Sequence, residues 1–156
     1  MKLSVIALDY DGTIARDGVL DPDVRRAIAD ARAAGFVVII VTGRILDHLR
    51  RLAGDLRFVD AIVAENGAVL TFPESGRSML HAPPVRPEMI DALRARGVSI
   101  VVGESVIEAD ARAAPVLIDA IRTLELPLVL VFNRERVMVL PSGVNKAAGL
   151  REVRLL

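Results

Sequence analysis

The chain has 156 residues, 53% hydrophobic and only 3% aromatic, with 20 basic and 20 acidic side chains that cancel to zero net charge. That length allows one ordinary domain or a small core with an insertion, and a core built from Val, Ile, Leu and Ala suits parallel strands covered by helices. No basic excess points to nucleic acid, no polybasic run points to a lipid surface, and the absence of Cys excludes disulfides, thiolate chemistry and Cys-type zinc sites.

Met1-Lys2-Leu3-Ser4 leads straight into a strand, without the apolar region and cleavage site of a signal peptide. No apolar run approaches the ~18 residues of a membrane span, so the expectation is a cytoplasmic chain. Leu3 to Leu8 reads as a buried strand, closed by Asp9-Tyr10-Asp11-Gly12-Thr13, with a polar loop following to Leu20. Asp21-Pro22-Asp23 is a helix start, with an Asp cap, Pro at the first helical position and an acid in the first turn. Val24, Ala27, Ile28, Ala31 and Ala34 then share a face, and Gly35 ends the helix. Phe36 to Val41 is a strand that ends in Thr42-Gly43-Arg44. A helix follows from about Ile45 to Ala53, with Leu49 and Leu52 inward, and Ala61 to Ala64 is a third strand ending in Glu65-Asn66-Gly67. This βαβαβ order predicts an α/β fold with a parallel sheet.

Beyond Ala68–Phe72, another short strand, the rhythm changes. Three prolines fall between Pro83 and Pro87, which marks a boundary or hinge. Helices at Glu88–Arg96 and from Asp110 to about Leu124 alternate with strands at Val98–Val102, Ser105–Ala109, Leu128–Phe132 and Arg136–Leu140. Residues 83–140 therefore read as a separate α+β unit, with 1–82 and 141–156 forming the core. Ser142-Gly143-Val144-Asn145-Lys146 returns the chain to a last helix.

The chemistry gathers at predicted strand ends, where open parallel sheets bind ligands. Asp9 and Asp11 are two residues apart, so strand alternation aims both carboxylates the same way, and two such acids need a cation. One could act as a nucleophile and the other as a proton donor to a leaving oxygen. Gly12 permits a tight turn and lets its amide approach an anion. Thr42 and Gly43 supply a hydroxyl and a bare amide at a helix start, which suits an oxyanion, though a simple helix cap would look the same. Arg44 could clamp a phosphate or face solvent. Lys146 opens a helix, where a cation opposes the macrodipole unless an anion partners it. Asn66 at the third strand end is explained as well by a turn. His48 and His81 read as surface residues. A carboxylate pair, a hydroxyl, a lysine and room for Mg²⁺ together match phosphoryl transfer.

Asp9-Tyr10-Asp11-Gly12-Thr13 resembles motif I of the haloacid dehalogenase superfamily, Asp-x-Asp-Gly-Thr. Val41-Thr42-Gly43-Arg44 resembles its motif II, and Lys146 its motif III. Glu65-Asn66-Gly67-Ala68 and the 83–140 unit resemble the Cof-type and phosphoglycolate or sucrose-phosphate phosphatase subclass with a C2-type cap. The match runs from residue 3 to about 150. It implies a Rossmann-like core with an inserted α+β cap, and a phosphatase acting on a small phosphorylated metabolite. It implies Asp9 as the nucleophile that forms an aspartyl-phosphate, Asp11 as general acid/base, and phosphate binding by Thr42, Gly43, Lys146 and Gly12, with Arg44 and Asn66 as lesser candidates. Mg²⁺ would take Asp9 and the backbone carbonyl of Asp11, and the cap would select the substrate, with Arg134 and Glu104 as candidate cap-turn residues.

The pattern departs from the family in one respect. No Gly-Asp-x-x-x-Asp motif IV, and no Asp at all, follows Lys146. The expectation is weak metal binding and turnover in a truncated or fragmentary core, whose first strand lies at an open edge able to self-associate or accept a partner segment. The competing expectation is a non-catalytic binding module of the same fold. A receiver domain fits poorly, because Glu65-Asn66-Gly67 stands where its acceptor Asp would be.

Overall fold

The computed structural model describes residues 4–153. The chain divides into two compact units, Met1–His81 with Asn145–Leu156, and Ala82–Val144. The first unit begins with β1 (Val5–Asp9), a two-stranded hairpin β2 (Ala15–Arg16) and β3 (Val19–Leu20), and α1 (Pro22–Ala33). As the sequence predicts, Asp21 caps α1, its carboxylate accepting from the Asp23 amide at 2.8 Å with Pro22 in the first turn. Then follow β4 (Val37–Val41), α2 (Leu46–Ala53), β5 (Ala61–Ala64), a 3₁₀ turn Glu65–Gly67, β6 (Val69–Phe72) and β7 (Arg77–Leu80).

These strands form a five-stranded sheet in the order β1-β4-β5-β6-β7. The β1–β4 and β4–β5 pairs are parallel, while β6 and β7 are antiparallel additions made by hairpins. The sequence reading lacks β7, because Arg77-Ser78 is polar and the strand needs only β6 as partner, so no apolar run announces it. Register aligns Asp9 with Val41 and Val41 with Val63, which brings the carboxyl ends of β1, β4 and β5 level.

Two expectations need correction. β1 is not a buried strand. Among the described residues it pairs with β4 alone at the end of the sheet, the open edge expected from the absent motif IV, and Val5, Ala7 and Asp9 are exposed while Ile6 and Leu8 are half-buried. Its apolar composition misled because an edge strand covered on one face reads like a central one. Leu52 points outward at 39% exposure, while Leu49 is fully buried on the same helix.

The second unit contains α3 (Pro87–Ala95), β8 (Ile100–Val102), β9 (Ile107–Asp110), α4 (Ala114–Thr123), β10 (Leu128–Asn133) and β11 (Arg136–Pro141). Its antiparallel sheet has the order β10-β11-β9-β8. Met89 and Leu93 of α3 and Leu117 and Ala120 of α4 form one core with Ile107, Ala109, Val137 and Val139. Asp110 caps a 3₁₀ turn over Ala111–Ala113, after which Pro115 sits in the first turn of α4, where a missing amide is harmless. Arg134 lies at the β10–β11 turn with φ of 53°.

The chain returns to the first unit as α5 (Lys146–Val153). Asn145 caps it, its side-chain oxygen accepting from the Ala148 amide at 2.9 Å. Leu150 and Val153 pack on Ile39, Val41, Ala61, Val63 and Leu70. Gly149 lets α5 approach the 65–67 turn closely, since a Cβ there would lie 2.6 Å from the Gly67 Cα and 2.7 Å from Val63. The reciprocal contact is tighter, a Cβ on Gly67 meeting the Asn145 carbonyl at 2.2 Å. Gly149→Ala should thus destabilise the protein by about 1–3 kcal/mol, because backbone cannot yield to an added methyl. That cost exceeds the roughly 1 kcal/mol that alanine gains over glycine in a helix. Urea unfolding midpoints of the two proteins test it, and an alanine variant as stable as the parent would show that α5 can shift.

Candidate functional site

Asp9 ends β1, and the chain turns sharply there. Tyr10 swings inward to full burial, and its hydroxyl donates to the Gly18 carbonyl at 2.9 Å, tying the β2–β3 hairpin to the strand end. Burial pushes its phenol above the ordinary value of 10.0, an effect the Arg44 charge partly offsets. The Tyr10 carbonyl accepts from the Ile14 and Ala15 amides, and Gly12 donates its own amide to the Ala15 carbonyl at 3.0 Å. Gly12 takes φ of 75°, open to glycine at little cost. Its amide is therefore engaged within the turn, which corrects the expectation that it approaches an anion. The segment read as a polar loop is in fact a packed turn and hairpin with Ile14 and Ala15 buried.

At the next strand end Thr42 is 1% exposed. Its amide donates to the Val63 carbonyl at 2.8 Å, and its carbonyl accepts from the Asn66 amide at 3.1 Å. Its Oγ1 accepts from the Arg44 amide at 3.1 Å, which leaves the hydroxyl proton to serve as a donor. The Asn66 side-chain oxygen occupies the space beside Gly43, 3.1 Å from where a Cβ would stand, so only glycine fits without displacement. Glu65 and Asn66 both hold positive φ, 53° and 56°, unusual outside glycine. Glu65 is fully buried, and its carboxylate accepts from the Leu46 amide in a long 3.5 Å contact at the start of α2. Ile45 offers that helix no side-chain cap, so the acid supplies one from across the sheet.

Lys146, at the first turn of α5, donates from Nζ to Asp9 Oδ1 at 2.7 Å. The macrodipole argument for an anionic partner is met here by Asp9. Arg44 is turned to Asp11 and does not face open solvent. Its Nε donates to Asp11 Oδ2 at 2.8 Å and its Nη2 to Asp11 Oδ1 at 2.7 Å. Each motif I carboxylate thus faces one cation. Both pairs are substantially exposed, so they contribute little to folding stability and their value lies in geometry. Among the described residues no group of three or more His, Cys, Asp or Glu gathers to hold a metal. Asp9 and the Asp11 carbonyl are hard oxygen donors at this strand end. That fits Mg²⁺, which takes one or two carboxylates and completes its shell with water and phosphate. His48 and His81 are exposed, as the sequence reading expects.

The family model for haloacid dehalogenase-like hydrolases matches residues 6–102. The chain belongs to this family. It is 34% identical over 90 residues to 5-amino-6-(5-phospho-D-ribitylamino)uracil phosphatase YcsE of Bacillus subtilis, a match covering 55% of the chain and 36% of that protein. The chain thus spans about a third of the length of that curated relative. A haloacid dehalogenase-like hydrolase from Bacteroides thetaiotaomicron shares the fold with a TM-score of 0.79 at 16% identity, over 97% of this chain and 76% of that one. The subclass IIB sugar phosphatase BT4131 gives a TM-score of 0.69 at 16% identity, over 96% and 74% of the two chains. These likenesses establish an α/β haloacid dehalogenase fold around the described strand ends.

Sequence reasoning missed Glu65, Asn145 and Gly149. A helical glycine near a lysine and an acid outside any charge pattern carry no local signal, because their partners come from other elements. Asn145 directly before a helix is a legible cap signal.

Tyr10 is the only tyrosine. Its pKa is raised on folding, so its contribution to stability is complete below about pH 10 and is lost as pH rises through the folded value. Ultraviolet titration of the tyrosinate should give a midpoint above 10 in the folded protein and a lower one in denaturant. Tyr10→Phe should cost about 1–2 kcal/mol through the lost hydrogen bond to the hairpin. Equal midpoints in the two states would contradict the described burial.

Proposed function

We propose that the chain is the core of a Mg²⁺-dependent phosphatase that hydrolyses a small phosphomonoester through Asp9. One observation carries the reading: Lys146 Nζ lies 2.7 Å from Asp9 Oδ1 although 137 residues separate them. A lysine placed on the proposed nucleophile can meet the phosphoryl oxygens that arrive there. Thr42, just past the end of the adjacent parallel strand, adds a buried hydroxyl, and Gly43 and Asn66 complete the proposed cradle.

In this reading Asp9 attacks phosphorus and forms an aspartyl-phosphate as the ester P–O bond breaks. Asp11 gives its proton to the departing oxygen. A water then loses a proton to Asp11 and attacks the same phosphorus, the P–O bond to Asp9 breaks, and inorganic phosphate leaves with Asp9 restored. Mg²⁺, held by Asp9 and the Asp11 backbone carbonyl, would neutralise charge on the transferring phosphoryl group. Lys146 and Thr42 bind the phosphoryl oxygens throughout. Selection among substrates is assigned to the 82–144 unit, in keeping with the separate core that unit possesses.

The relatives support a phosphorylated small molecule as substrate, being named as phosphatases of a phosphoribityl compound and of sugars. Release of phosphate from 4-nitrophenyl phosphate with Mg²⁺ present tests the reading. Asp9→Asn should lower the rate on the order of 10⁴-fold, to background, and Lys146→Ala should lower it by roughly 10²–10³-fold. An Asp9→Asn protein as active as the parent contradicts it.

A further inference from the structure

Arg44 has no role in the cradle just described, yet it is held by more contacts than a solvated arginine needs. Its amide donates to Thr42 Oγ1 and its carbonyl accepts from the Glu65 amide, so its backbone is fixed at the junction of β4 and the 65–67 turn. Its guanidinium lies 5.8 Å from the centre of the buried Tyr10 ring. The β2–β3 hairpin also approaches the guanidinium, a Cβ on Gly18 being 3.3 Å from Arg44 Nη2. The side chain is 23% exposed, against 47% for its partner Asp11. The arginine is thus the anchored member of the pair and the carboxylate the member that would otherwise turn freely.

The contact is a two-point fork, Nε to one oxygen and Nη2 to the other. Two parallel bonds fix the plane of a carboxylate as well as its distance, which a single ammonium cannot do. Each carboxylate oxygen keeps a further lone pair for a proton. An exposed ion pair adds little to stability, so fold maintenance does not account for this degree of anchoring.

We propose that Arg44 is a positioning residue that holds the Asp11 carboxyl in the orientation for proton transfer with the leaving oxygen, a role that rests on the phosphatase reading above. The turn that presents the Thr42 hydroxyl would then also aim the acid. Phosphate binding and proton delivery would share one rigid element, with Tyr10 and the hairpin as its support.

Two esters of similar shape and different leaving-group basicity separate this role from a structural one. 4-Nitrophenolate departs readily without a proton, whereas phenolate needs one. Arg44→Met should lower kcat on phenyl phosphate by about 10-fold or more, within the range general acids contribute, and on 4-nitrophenyl phosphate by no more than about a third of that factor. Asp11→Asn should show the same skew, and the double variant should be no slower than Asp11→Asn alone. Arg44→Lys should recover only part of the phenyl phosphate rate, since it cannot fork. Nuclear magnetic resonance of the Arg44 Nε proton, shifted in the parent and not in Asp11→Asn, reports the pair independently of turnover. Equal losses on both esters, or multiplying losses in the double variant, overturn the positioning role while leaving the phosphatase reading intact. A parent protein that releases phosphate from neither ester overturns both.

Discussion

The contact between Lys146 and Asp9 is the geometry that the packing of the first unit is arranged to hold. It joins the first strand to the last helix, two parts of the chain separated by 137 residues. An exposed ion pair cannot hold such a geometry by its own energy. The backbone holds it. Asn145 caps α5, Gly149 seats the helix against Gly67, and Leu150 and Val153 anchor it to the sheet. Removing space at Gly149 therefore bears on the reach of Lys146 as directly as changing the lysine.

The sheet supplies the other half of the arrangement. Parallel pairing with Asp9 level with Val41, and Val41 level with Val63, places three strand ends side by side. Asp9, Thr42 and the Glu65–Gly67 turn follow from that register. Each end is then closed by a different device: a glycine turn and buried tyrosine at the first, a Thr42–Arg44 turn at the second, and two positive-φ residues at the third. Strained backbone recurs where function is proposed, consistent with strain being tolerated at sites that the surroundings over-determine.

Much of this was legible in the sequence, for physical reasons that can be named. Asp9, Asp11, Thr42 and Lys146 stand out because each follows a change of local rhythm, a strand ending or a helix starting. The α1 cap is legible because Asp21-Pro22-Asp23 acts on its own neighbours. The apolar run alone reads β1 as buried, since hydrophobic pattern reports an apolar face and not the number of strand neighbours; its edge position was legible only through the absent motif IV. The role of Gly12 was misjudged for a similar reason, as its amide partner, Ala15, belongs to a hairpin whose two-residue strands leave no periodic trace. Arg44 is the plainest case. Its type and position suggested an anion, and the anion proved to be Asp11, brought to it only by folding.

The central claim is that Asp9 accepts the phosphoryl group. An aspartyl-phosphate is reduced by borohydride to homoserine, so the modified residue can be located by mass spectrometry. The chain is incubated with Mg²⁺ and a phosphomonoester, quenched and reduced. Conversion of residue 9 to homoserine, absent without ester and absent in Asp9→Asn, is the predicted result. Conversion at another acid, or phosphate release that persists in Asp9→Asn, would contradict the account.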